Sequence, residues 1–127
     1  PFRSYLKAGV RVAVGSDYSV AHYNPWFSFY AMLTRKEQAS GKVLGADETI
    51  GIEDALRMFT LNGAYLTYDD KIRGSLEVGK LADLVVLDLP TLKELEKNPE
   101  LCLTMKDRVL LTLVQGRTAY HREDFAN

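Results

Sequence analysis

Asp17 is the residue of this sequence best suited to chemistry, because it directly follows a short apolar run that ends in Gly15 and Ser16. The β-branched pattern of this run predicts a buried strand over residues 10–16. Parallel α/β folds place ligand-binding and catalytic groups at the carboxyl ends of their strands. Asp17 is therefore a candidate catalytic residue.

The chemistry open to a carboxylate in this place is proton transfer. Such a carboxylate can accept a proton from an attacking water and can later return that proton to a leaving group. The competing interpretation is that Asp17 only caps the turn, which is the commoner role of an aspartate after Gly-Ser.

The loop after Asp17 holds two further candidates, Tyr18 and His22. Both are expected near the same strand end, where they could contact a substrate. A packed tyrosine and a solvated histidine explain these residues equally well, and we slightly favour that second interpretation.

The composition limits the classes of partner. With 46% hydrophobic residues, 127 residues are enough for one core. There are 16 basic and 17 acidic side chains, without a basic stripe, so we expect no nucleic-acid partner. No apolar run approaches the roughly 20 residues that cross a bilayer, so we expect no membrane partner.

Cys102 is the only cysteine, which excludes an internal disulfide and a cysteine metal cluster. This composition fits a reducing compartment, and we expect the cytoplasm. The sequence opens with Pro1 in an apparent helix, which leaves room for a targeting segment before it.

The periodicity of apolar residues indicates which elements position Asp17. Gly9 should end the first helix, Asn24 followed by Pro25 should begin the second, and Thr60 should cap the last. A polar loop is expected over 39–51. The predicted helices cover residues 1–8, 25–38, 52–59 and 61–67.

The pattern changes from residue 72 onward, where strands and turns are predicted. The expected elements are a strand fragment at 74–76, a turn at 79–80, a strand at 82–88 covered on both faces, a short charged helix that ends near 98–99, and a hairpin of 108–114 with 117–120. Thr91 and Glu94 are spaced as the capping box of the charged helix.

Strands that find no partner of their own kind nearby are unusual for a complete domain. Three segments, 8–17, 55–64 and 74–88, resemble the C-terminal part of metal-dependent amidohydrolases, in the group that includes N-substituted formamide deformylase. They cover most of the sequence, and their order and spacing are more specific than a single Gly-Ser-Asp.

The resemblance implies an α/β fold made from the end of a (β/α)8 barrel and from the returning strands of a small β-sandwich. Residues 1–71 would form the last strand and helices of the barrel, with Asp17 at the end of its eighth strand. Residues 72–127 would form the sandwich strands.

The resemblance also implies metal-dependent hydrolysis of C–N bonds, other than peptide bonds, in small amide-type molecules. Asp17 would be a ligand of a divalent ion, zinc in our expectation, as well as the general base. The family's other ligands, a His-x-His pair, a bridging carboxylate or carboxylated lysine and two more histidines, are absent from this sequence, and His22 and His121 do not replace them. We therefore expect the chain alone to bind no metal and to be inactive.

The sequence departs from the family at two places. Ser19 stands where the family usually has proline, so the loop after Asp17 could be set differently. Residues 90–107 are longer and more charged than the expected connection, which predicts a surface insertion without chemistry.

Two classes of protein other than an enzyme could carry an aspartate at the end of a strand. A phosphoacceptor domain would need an acidic pair on an earlier strand, which this sequence lacks. A structural or binding domain without activity is the stronger alternative. We also expect self-association, because a barrel remnant would expose the aromatic cluster at 26–30 and the apolar strand at 84–87.

Overall fold

The computed structural model describes residues 1–125. These residues form five α-helices, two 3₁₀ helices and three strands. In chain order these are α1 Phe2–Lys7, α2 Pro25–Thr34, the 3₁₀ helix Ala46–Glu48, α3 Ile52–Phe59, α4 Leu61–Leu66, β1 Leu84–Leu87, α5 Glu94–Lys97, the 3₁₀ helix Pro99–Arg108, β2 Val109–Val114 and β3 Arg117–His121.

Helix α2 begins as predicted and ends earlier than predicted. The Asn24 side chain accepts a hydrogen bond from the Trp26 amide at 3.1 Å, with proline at the first helical position. The expected end at residue 38 is wrong, because Arg35 adopts a left-handed conformation with φ of 56°. Lys36 then pairs with Val43 in an isolated antiparallel bridge.

Helices α3 and α4 lie where the sequence places them, but the predicted cap is wrong. The Thr60 hydroxyl donates to the Leu56 carbonyl at 2.7 Å, at the end of α3, and does not accept from α4. The start of the other helix, α3, is capped by a side chain from a distant part of the chain: the Glu96 carboxylate accepts a hydrogen bond from the Ile52 amide at 2.6 Å.

The predicted strand at 10–16 is not a strand among the described residues. The segment is extended, but no strand lies beside it to form a ladder, and its contacts are to helices. The Val14 amide donates to the Met58 carbonyl at 3.3 Å, and the Asn62 side-chain amide donates to the Val12 carbonyl at 2.7 Å.

The C-terminal half forms an antiparallel sheet in the order β1-β2-β3. Leu84 lies opposite Leu113, and Thr112 lies opposite Tyr120. The predicted hairpin is confirmed, since Gln115 and Gly116 both have positive φ, of 52° and 76°, as a type I′ turn requires.

Two expectations about strands are wrong. Residues 74–76 bend and do not form a strand, because Gly74 has φ of 91° and lies so close to α4 that a Cβ would be 2.7 Å from the Ala64 Cβ. The strand predicted at 82–88 is shortened to β1, and Val85 is 47% exposed, so β1 is not covered on both faces here.

The loop between α4 and β1 is stabilised by hydrogen bonds from the side chain of Lys80, a residue that the sequence predicted only as part of a turn. The Lys80 ammonium donates to the Asp70 carbonyl at 2.6 Å and to the Ser75 hydroxyl at 2.7 Å. The turn itself is confirmed by a hydrogen bond from the Lys80 amide to the Glu77 carbonyl at 3.1 Å.

Helix α5 ends where predicted, but its predicted capping box does not form. The Glu94 carboxylate pairs with the Lys97 ammonium at 2.7 Å and does not reach back to residue 91. An (i, i+3) ion pair replaces the box, because both side chains lie on the same face of a single helical turn.

Residues 90–107 are not a surface insertion. Leu95, Cys102 and Met105 are fully buried, and the Tyr30 hydroxyl donates to Glu100 at 3.1 Å. Burial raises the pKa of the Cys102 thiol to about 11, which leaves it protonated at neutral pH. The segment is therefore part of the core.

The core lies between α2, α3 and this C-terminal segment. Two aromatic residues expected at a contact surface, Phe29 and Tyr30, are instead buried at 4% and 3% exposure. The buried cluster comprises Phe29, Tyr30, Met32, Ile50, Ile52, Ala55, Met58, Leu95, Cys102 and Met105.

Among residues 1–125, no helix has the length and apolar character needed to cross a membrane.

The packing of Met105 predicts a large loss of stability when its side chain is shortened. Met105→Ala should lower the free energy of unfolding by about 2–5 kcal/mol, because it leaves a cavity in the core. Leu76→Ala is the matched control: Leu76 is 78% exposed, so its effect should stay within about 0.5 kcal/mol. Urea unfolding measures the stability of both variants. Equal stability of the two variants would contradict the conclusion that residues 90–107 are part of the core.

Candidate active site

Asp17 ends the extended segment and begins a tight turn. Its φ is 52°, a left-handed conformation that aspartate adopts more readily than most residues. Its backbone carbonyl accepts from the Val20 amide at 2.7 Å and from the Ala21 amide at 3.4 Å. Among residues 1–125, no side-chain hydrogen bond or ion pair involves its carboxylate, so the carboxylate does not cap this turn.

The segment that carries Asp17 packs against the helical pair α3 and α4 and is hydrogen-bonded to both helices. Val12 and Val14 pack partly buried against the core, and their backbone groups meet Met58 and Asn62. Asp17 itself is exposed. An anchored segment therefore ends in a carboxylate that is open to solvent.

His22 is oriented by its neighbours. Its Nδ1 atom accepts a hydrogen bond from the Asn24 amide at 3.0 Å. Its ring stacks on Tyr23 with centroids 4.7 Å apart and meets the edge of Phe27 at 4.9 Å. An accepting Nδ1 carries no proton, so the neutral ring has its proton on Nε2, where it can be donated.

Tyr18 is not the packed tyrosine that the sequence slightly favoured. It is 71% exposed, and its ring meets that of Tyr23 edge-on with centroids 5.9 Å apart. The exposure of His22 matches the solvated histidine of the same interpretation. Tyr18 and His22 therefore both contact the same residue, Tyr23, through their rings.

Tyr23 is a candidate that the sequence reasoning missed. It is 69% exposed and lies directly before Asn24, which caps α2. The available signal was a third aromatic ring in a short polar loop between the candidate aspartate and the helix. By contrast, Phe29 lies in the core, and it stacks on Phe59 with centroids 4.8 Å apart.

The fit of the described residues to a divalent metal ion rests on Asp17, whose carboxylate has the chemistry of a single ligand. A carboxylate such as Asp17 is an oxygen ligand that divalent ions accept, and no protein group in residues 1–125 competes for it. Across the same residues, no group of three or more histidine, cysteine, aspartate or glutamate side chains is placed to hold an ion. Asp17 fits one ligand position, and the described chain does not complete the coordination.

The model of the Amidohydrolase family matches residues 1–120, and the chain belongs to this family. The resemblance seen in the sequence is therefore confirmed. The fold agrees with it, since E. coli guanine deaminase superposes with a TM-score of 0.69 at 22% identity, covering 97% of this chain and 30% of that one. An amidohydrolase from Thermotoga maritima gives a TM-score of 0.66 at 22% identity, covering 95% and 26%.

Curated relatives are similar over most of the chain. N-substituted formamide deformylase of Arthrobacter pascens is 38% identical over 125 residues, which are 96% of this chain and 21% of that protein. The 5-methylthioadenosine/S-adenosylhomocysteine deaminase of Moorella thermoacetica is 34% identical over 89 residues, 70% of this chain and 20% of that protein. The chain thus spans about a fifth of the length of these relatives.

Proposed function

We propose that this chain is the C-terminal part of a metal-dependent hydrolase that cleaves C–N bonds other than peptide bonds, with Asp17 as its catalytic carboxylate. The observation that carries the proposal is an exposed carboxylate without a hydrogen-bond partner among residues 1–125, at the end of an anchored extended segment in a member of the Amidohydrolase family. The similar proteins are named as a deformylase and a deaminase, which supports a C–N bond in a small molecule as the target.

The proposal includes the division of the chain. Residues 1–71 would end a (β/α)8 barrel and residues 72–127 would return to a β-sandwich. The change from helices to an antiparallel sheet after α4 supports this boundary. A reducing compartment, the cytoplasm in our proposal, suits a protein whose one cysteine is buried and protonated.

Asp17 would act by moving one proton. A divalent ion, zinc in our proposal, would polarise the substrate carbonyl and lower the pKa of water. Asp17 would contribute a ligand oxygen and accept the proton of the attacking water as the new C–O bond forms. It would then pass that proton to the nitrogen as the C–N bond breaks, so that the leaving group departs as a neutral amine.

Tyr18 and His22 would contact the substrate. The Nε2 proton of His22 is the donor that its hydrogen bond with Asn24 leaves available. The Tyr18 ring is exposed in the same loop and held at its edge by Tyr23. An aromatic ring and a neutral donor suit a small amide-type molecule better than a charged polymer.

The first test replaces Asp17 in the protein that contains this chain. Asp17→Asn keeps the shape of the side chain but cannot accept a proton, so turnover should fall roughly 100-fold or more while bound metal is largely retained. Steady-state kinetics on N-substituted formamides, with metal content measured in parallel, tests this. Asp47→Asn, at an exposed carboxylate of the first 3₁₀ helix, is the control. Wild-type turnover in Asp17→Asn would make Asp17 structural.

A second test separates an incomplete hydrolase from a stand-alone binding domain. The 127-residue chain alone should bind zinc weakly or not at all and should not hydrolyse amides, because its described residues offer one ligand where an ion needs three or more. Atomic absorption after dialysis measures the metal. Stoichiometric zinc in the isolated chain would contradict the proposal.

We also propose that the isolated chain self-associates through the outer edge of β1. This strand lies at one end of the sheet order, and its Val85 side chain is 47% exposed. A strand edge presents backbone groups that can pair with a second chain, and the net charge of −1 opposes association little.

Sedimentation equilibrium at high micromolar concentration tests this association. The chain should sediment as a dimer or larger species, and Val85→Lys should shift it towards monomer, because an edge lysine disfavours strand pairing. Val78→Lys is the control, at a fully exposed position outside the sheet. A cooperative, monomeric wild type would contradict self-association.

A further inference from the structure

We propose that Asn62 positions Asp17 for catalysis, an inference that rests on the proposed role of Asp17. Asn62 lies in the first turn of α4, and its Nδ2 atom donates to the Val12 carbonyl at 2.7 Å in a partly buried contact. The two residues are 50 positions apart in the sequence. The bond therefore ties a helix directly to the segment that presents the carboxylate.

The Asn62 contact is one of few that fix this segment. Among residues 1–125, the backbone groups of residues 11–16 make two hydrogen bonds, one to Asn62 and one from the Val14 amide to the Met58 carbonyl. The Met58 carbonyl lies in the last turn of α3, where helical carbonyls lack an internal partner. A helix end and a side-chain amide thus do what neighbouring strands do in a sheet.

The amide group is the feature of Asn62 that matters. The Val12 carbonyl accepts, so its partner must donate, and the amide donates without placing a charge in a partly buried site. An aspartate at the same position would have the same shape and would turn an acceptor oxygen towards the carbonyl. Donor chemistry can therefore be removed with little change in volume.

The anchor can act at a distance because the intervening chain is extended. Asp17 lies five positions after Val12, and the extended chain between their Cα atoms spans at most about 18 Å. Val12 and Val14 pack against the core, so a shift of their backbone would move the exposed end. A misplacement of about 1 Å at a reacting group can cost up to roughly 100-fold in rate.

The test compares Asn62→Asp with Thr67→Ala in the protein that contains this chain. Thr67→Ala removes a hydroxyl hydrogen bond to the Ala64 carbonyl, at the end of the same helix, and Thr67 makes no hydrogen bond to residues 10–17 among the described residues. Asn62→Asp should speed hydrogen exchange of the Val14 amide about 10-fold and lower kcat about 10- to 100-fold, with KM within about twofold. Thr67→Ala should change neither quantity.

The outcomes separate this inference from the proposed function. Unchanged Val14 exchange in Asn62→Asp, or faster exchange with unchanged kcat, would overturn the role of Asn62 alone. Full turnover in Asp17→Asn would overturn the role of Asp17, and the positioning role with it. Asn62→Ala removes the amide without adding a charge, and it carries the same test where Asn62→Asp does not fold.

Discussion

The need of an extended backbone for hydrogen-bond partners governs this structure. Residues 10–16 have the composition of a buried strand, yet no strand among the described residues lies beside them. Amides and carbonyls that lose contact with water are costly to leave unpaired, so the Val14 amide and the Val12 carbonyl, in the partly buried part of the segment, take partners from helices α3 and α4. The place of Asp17 depends on these partners, because the chain turns sharply as soon as the segment ends.

Support for the segment extends to the C-terminal half of the chain. Met58, whose carbonyl meets Val14, is fully buried in α3, and α3 is capped at its start by Glu96. Glu96 belongs to residues 90–107, whose Leu95 and Met105 fill the same core. Residues 90–107, which the sequence predicted to be an insertion, thus stabilise α3, the helix that contacts the segment carrying Asp17. Their charged residues led to the prediction of a surface segment, because the buried residues are spaced between them.

The sequence predicted what local signals determine. Asn24 with Pro25 began α2, the amphipathic spacing of α3 was correct, and the turn after β2 followed from Gln115 with Gly116. Family membership was also predictable, since it rests on whole segments. The division into a barrel end and sandwich strands stays a prediction, because it concerns strands outside this chain.

Two of the failures share a physical cause, which is competition between alternative hydrogen-bond partners. Helix α2 stops at Thr34, where the Arg35 side chain donates to the Leu44 carbonyl at 3.0 Å and the backbone turns left-handed. The Thr60 hydroxyl donates a hydrogen bond to the Leu56 carbonyl of α3, although it could have accepted one from the start of α4. In both cases the residue has two feasible partners, and a linear pattern does not rank them.

The candidate site follows from the way its loop satisfies its own polar groups. The Asp17 carbonyl closes the turn, Asn24 caps α2 through its side chain, and the Asn24 amide occupies Nδ1 of His22. Each of these bonds has a backbone group on one side, and none of them uses the Asp17 carboxylate or the Nε2 atom of His22. The Asp17 carboxylate and the His22 Nε2 proton remain as an acceptor and a donor in one short loop. Such a division of roles is what a hydrolytic site needs, since one group must receive a proton while another orients the molecule that is cut.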